Sequence, residues 1–80
     1  MSKKGSYEVE HTDTFGGEAN YCWVNRYEIP LGSRLATVRR AKALCGLTGV
    51  RCDVSDFGDG LEIRPRGLCQ VVFISYKEPT

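Results

Sequence analysis

Residues 12–25 read Thr-Asp-Thr-Phe-Gly-Gly-Glu-Ala-Asn-Tyr-Cys-Trp-Val-Asn, a reversal opening into an aromatic ribbon. Gly16-Gly17 suits the positive φ that a turn demands. Upstream, Tyr7-Glu8-Val9-Glu10-His11 alternates apolar and polar side chains, the period of a short strand with Tyr7 and Val9 on one face. Downstream, residues 19–29 read as a second strand, antiparallel to the first. Tyr21, Trp23, Tyr27 and Ile29 fall on one of its faces, Cys22 and Val24 on the other. A strand apolar on both faces is either covered on both sides or leaves aromatics exposed on one. The chain holds one Trp and four Tyr, so much of its aromatic surface lies in this ribbon, as core or as a recognition surface.

Beyond the ribbon, Pro30 ends the strand and Ser33 is placed to cap a helix. Leu35, Val38, Ala41 and Cys45 form its apolar stripe, with Leu31 just before it, while Arg39, Arg40 and Ala43 point away. Gly46 suits the left-handed conformation that closes a helix. Val50, Cys52 and Val54 then alternate with Arg51, Asp53 and Ser55. Phe57-Gly58-Asp59-Gly60 is a tight hairpin turn. Leu61 and Ile63 alternate with Glu62 and Arg64, and Pro65-Arg66-Gly67 turns again. Residues 69–76 are apolar on both faces, as a central strand is. The expected fold is α+β, in the order β-β-α-β-β-β: a mainly antiparallel sheet of about five strands with one helix on one face. The opposite face is then open to solvent, to a second copy or to a partner.

Eighty residues make one small domain with a thin core, spanning 1–80 with residues 1–5 expected to fray. A composition 41% hydrophobic and 26% charged is that of a folded globular chain. A net charge of +1 excludes strong steering of the whole molecule by either sign of field. That balance hides segregation. Glu8, Glu10, Asp13 and Glu18 precede a basic block of Arg26, Arg34, Arg39, Arg40 and Lys42, and Asp53, Asp56, Asp59 and Glu62 follow it. Such blocks either present charged patches or neutralise one another across strands. No apolar run reaches membrane-spanning length, and the N-terminus lacks the apolar core of a signal peptide. Residue 2 and the C-terminus carry no lipidation signal. The expected location is therefore the cytoplasm, with no membrane partner.

Little in the chain suggests catalysis. His11 is the single histidine, beside Glu10 and Asp13, and it has no recognisable nucleophile signature around it. Cys22, Cys45, Cys52 and Cys69 contain no Cys-x-x-Cys pair, so neither zinc nor any other cofactor is expected. The cysteines read as reduced, buried thiols that pack as small hydrophobes. The acid-rich stretch from Asp53 to Gly60 lacks the closing Glu of a calcium loop, and no glycine pair builds a phosphate loop.

Two binding readings remain. A basic helical edge of Arg34, Arg39, Arg40 and Lys42, with Arg64 and Arg66, could join exposed Tyr21, Trp23 and Tyr27 as a single-stranded nucleic-acid platform. The small net charge and the acidic first strand weigh against it. Protein binding fits better, since Trp, Tyr and Arg are enriched at interfaces. Its expected anchors are Tyr21, Trp23, Arg26 and Tyr27, with Arg39, Arg40, Asp56 and Asp59 as rim charges.

The run Asp13-Thr-Phe-Gly-Gly-Glu-Ala-Asn-Tyr-Cys-Trp-Val24 resembles part of a group of small phage and prophage proteins of unknown role. So do Ala41-Lys42, Gly49-Val-Arg51, Asp56-Phe-Gly-Asp59 and Leu61-Glu-Ile-Arg-Pro-Arg-Gly67. The resemblance covers most of residues 5–76 and brings no active site with it. It implies a non-enzymatic accessory protein that locks or occludes a host protein complex in a bacterial cell, as a monomer or a homodimer. In size and surface character, though in no motif, the chain is similar to anti-CRISPR proteins. The most concrete expected partner is therefore a CRISPR–Cas effector, and the alternative is a single-stranded nucleic acid.

Overall fold

The computed structural model describes residues 5–15, 18–58 and 60–78. Gly16-Gly17, Asp59 and the first four residues, on which some of the readings above fall, lie outside the described residues. The chain runs β1 (Ser6–Asp13), β2 (Val24–Pro30), α1 (Arg34–Leu44), β3 (Cys52–Phe57), β4 (Gly60–Pro65) and β5 (Gln70–Lys77). The five strands form one antiparallel sheet in the spatial order β2-β1-β5-β4-β3. The expected architecture is therefore the one observed. β5, apolar on both faces, lies at the centre, paired with β1 on one side and β4 on the other.

Register follows the hydrophobic pattern. Val9 stands opposite Tyr27 on β2 and Ile74 on β5, and Ile63 stands opposite Val72 and Val54. These side chains share one face, and α1 with the segment after it covers them. Val9, Ile29, Ala41, Leu47, Ile63, Val72 and Ile74 make the buried cluster, with Val38, Cys45, Val50, Cys52 and Leu61 packed around it. The other face carries Glu8 against Glu28, Glu10 against Arg26 and Phe73, Glu62 against Phe73 and Ser55, and Asp53 against Arg64.

The helix begins where a cap was expected. The Ser33 hydroxyl accepts the Ala36 amide at 3.2 Å, and Gly46, with φ of 71°, leaves the helix in the left-handed region. Gly58 takes a positive φ as the chain leaves β3. At Gly60 a Cβ would collide with the Ile74 carbonyl oxygen, so β4 can approach β5 there only as glycine.

Three expectations need correction. The second strand begins at Val24, because the chain through Tyr21 is held as a loop, with Tyr21 itself at φ 57°. Leu35 does not join the core: it is 62% exposed, and Thr37 and Ala41 are the buried helical residues. At about 100° per residue Leu35 is turned about 120° from Ala41, off the sheet-facing side. Cys22 and Cys69 are exposed, since both fall in loops, and only Cys45 and Cys52 are half-buried.

Candidate protein-binding end of the sheet

Residues 20–23 are bonded back to the end of β1, and Asp13 organises them. The buried Asp13 carboxylate accepts the Cys22 amide at 2.9 Å, and the Thr12 hydroxyl oxygen lies 3.4 Å from it. The Asp13 carbonyl accepts the Asn20 amide at 3.0 Å, and the Asn20 side-chain amide donates to the Phe15 carbonyl. Burial pushes the Asp13 carboxyl up, but these hydrogen bonds outweigh it and hold it below its ordinary value of 3.8. Its negative charge in turn pushes the Cys22 thiol up. One short acidic side chain thus replaces the regular ladder that residues 19–23 would otherwise have made.

Trp23 is fastened from two sides. Its carbonyl accepts the buried Thr12 hydroxyl at 2.8 Å, and its ring meets the His11 ring edge-to-face, with centroids 4.8 Å apart. A hydrogen bond of 2.9 Å joins His11 Nε2 to Gln70 Oε1. His11 is therefore a buried packing residue between β5 and the loop, and no described nucleophile hydrogen-bonds to it. The Thr14 amide donates to the Cys69 carbonyl at 2.9 Å, so the β4–β5 turn lies beside the β1–β2 loop.

The outcome is an apolar rim at one end of the sheet. Phe15 is 76% exposed, Tyr21 50%, Trp23 39% and Leu68 43%. The Phe15 and Trp23 carbonyls are held by the Asn20 side chain and the Thr12 hydroxyl, which lowers the ordering cost of presenting those two rings to a partner.

Of the residues expected to form a site, the structure brings Tyr21 and Trp23 to this rim. Arg26 lies on the open sheet face, ion-paired to Glu10 at 3.3 Å. Tyr27 packs against the core cluster, because its strand face is the one under the helix. Arg39 and Arg40 are exposed on α1. Asp56 sits at the other end of the sheet, 3.4 Å from Arg34, on a cleft of about 290 Å³ lined by Tyr7, Thr37, Leu61 and Ile74. Phe15 and Leu68 were missed as rim residues. Phe15, an aromatic directly before Gly-Gly, was legible as a loop-tip side chain, whereas Leu68 reaches the rim only through the strand order.

The charge blocks neutralise one another in part, and Arg39 and Arg40 stay exposed without a carboxylate partner among the described residues. Arg26 pairs with Glu10, Arg34 with Asp56, Arg64 with Glu62 and Arg66 with Asp53. The Arg66 hydrogen bonds and charge hold the Asp53 carboxyl low. Lys42 donates to the Val50 carbonyl at 2.8 Å. Among the described residues no three His, Cys, Asp or Glu side chains converge to hold a metal ion, and no helix is long and apolar enough to cross a membrane. Comparison with protein families, with curated proteins and with solved structures finds no match to this chain.

Proposed function

We propose that this protein is a non-enzymatic binding domain that docks on another protein through the rim of Phe15, Tyr21, Trp23 and Leu68. The observation that carries the reading is that these four large apolar side chains are each exposed in the segments flanking one end of the sheet, where the Thr14 amide bonds to the Cys69 carbonyl and the Cys22 amide to Asp13. Exposed aromatics on rigid backbone are the composition of an interface hot spot. In its most concrete form the partner is a host CRISPR–Cas effector, held by steric occlusion. The resemblance to phage accessory proteins and the small size support that form.

The nucleic-acid alternative has less support. The open sheet face carries Glu8, Glu10, Glu28 and Glu62, which repel a phosphate backbone. Three of the arginines expected to meet phosphate are already paired with carboxylates.

The test uses purified CRISPR–Cas effectors as candidate partners and compares the wild type with a Phe15→Ala, Tyr21→Ala, Trp23→Ala triple variant. The expected result is a complex that survives nuclease and high salt, prevents target-DNA binding, and is lost in the triple variant while its circular dichroism is retained. Unchanged binding by the folded triple variant would sink the rim as the interface. If no purified effector binds, the CRISPR form of the reading falls.

A further inference from the structure

β2 is an edge strand. It pairs with β1 on one side, and among the described residues nothing pairs with its outer side. An open edge is a template for another strand, and proteins that stay monomeric protect theirs with charges of one sign, proline or a bulge. The other edge, β3, carries Asp53 and Asp56 and no base, so pairing with a second β3 gains no opposite-charge pair. β2, Val-Asn-Arg-Tyr-Glu-Ile-Pro, has proline only at its last residue, and its two charges are of opposite sign.

Two copies of an edge strand related by a two-fold axis normal to the sheet pair antiparallel about a single residue, and each face meets its own kind. Pairing about Arg26 sets arginine against arginine, and pairing about Glu28 sets glutamate against glutamate. Pairing about Tyr27 sets Arg26 of each copy opposite Glu28 of the other, twice, on the open face. It also sets Tyr27 against Tyr27 and Asn25 against Ile29. Within one chain Glu28 stands directly opposite Glu8, a like charge, so a second copy's Arg26 would relieve a repulsion. Arg26 is 62% exposed at its side chain even while paired with Glu10, so it can share its charge with a second carboxylate across the edge.

We infer that β2 pairs with β2 of a second copy of this chain, antiparallel about Tyr27, joining two five-stranded sheets into one continuous sheet. Opposite charges directly across strands stabilise the pair and like charges destabilise it, so the charge pattern selects this register. One seven-residue strand edge is a small interface, so the dimer depends on concentration. It holds whatever the loop rim binds.

The experiment is sedimentation of the full chain over a concentration series, for the wild type, Arg26→Glu, Glu28→Arg, an equimolar mixture of the two, and the double reversal. The wild type should dimerise reversibly. Each single reversal sets like charges together twice and should raise the dissociation constant about tenfold or more. The mixture and the double reversal should each recover the wild-type association. Because Arg26 also pairs with Glu10, thermal melts check that each variant folds. Should a single variant unfold, the wild type's own salt dependence decides, with association weakening between about 50 and about 500 mM salt as the pairs are screened. A wild type that stays monomeric at about millimolar concentration, a dimer indifferent to both single reversals, a mixture no tighter than its components, or association that salt does not weaken would each overturn the inference.

Discussion

Asp13 is the residue on which the binding end depends. Its carboxylate replaces ladder hydrogen bonds with a single charged acceptor for the Cys22 amide, and its carboxyl is held below the ordinary value of 3.8. A depressed folded value means stability that is fully present above the ordinary value and is lost as pH falls through the folded one. Trp23 fluorescence should therefore report loop opening below the ordinary carboxylate value of 3.8. Asp13→Asn, which keeps an acceptor oxygen but no charge, should flatten that acid transition. The same substitution removes the charge that pushes the Cys22 thiol up, so alkylation of Cys22 at mildly alkaline pH should become faster. Cys45, half-buried and pushed up to about 11 by burial alone, should stay slow in both proteins. An acid transition identical in wild type and Asp13→Asn would show that the loop is held by something else.

At the scale of the element, α1 is a helix whose buried side is not its most apolar side. Thr37 and Ala41 face the sheet while Leu35 lies out. The Thr37 hydroxyl is buried, with no hydrogen-bond partner among the described residues. An unsatisfied buried hydroxyl costs about 1–3 kcal/mol. Thr37→Val keeps the shape and removes the orphan, so it should stabilise the protein by about 1 kcal/mol. For a domain of this size that raises the melting temperature by about 4–8 °C. A lowered melting temperature would mean that the hydroxyl contributes a bond the wild type needs.

At the scale of the whole molecule, the fold joins the charge blocks at two points and leaves Arg39 and Arg40 exposed on the helix. The acidic stretch before residue 25 meets the basic block through Glu10 and Arg26, and that block meets the second acidic stretch through Arg34 and Asp56. Exposed pairs of this kind add little stability, but they reduce the positive charge left for a nucleic acid to meet. Fluorescence anisotropy should therefore find single-stranded DNA binding at physiological salt no tighter than the non-specific range of about 10⁻⁴–10⁻⁶ M. Reversing Arg39 and Arg40 to Glu should hardly change it. Tight binding lost in that variant would restore the nucleic-acid reading.

Much of this molecule was decided locally and could be read from the sequence. Strand alternation at Tyr7–His11, Val50–Val54 and Leu61–Arg64, the Ser33 cap, the Gly46 stop and the two-sided apolar run of β5 are each dictated by neighbours a few residues away. They determine the element order and the helix-bearing antiparallel sheet. What only the tertiary structure decided depends on partners distant in the chain. The helix covers the Tyr27 face, which turns an expected anchor into core packing. A hydrogen bond from Thr14 to Cys69 joins the segment after β1 to the turn that carries Leu68. Asp13 draws residues 19–23 out of the strand that their own pattern suggested. Periodicity reports which side chains share a face. Which face is covered, and which loops meet, depends on packing and hydrogen bonds between segments that the linear pattern does not connect.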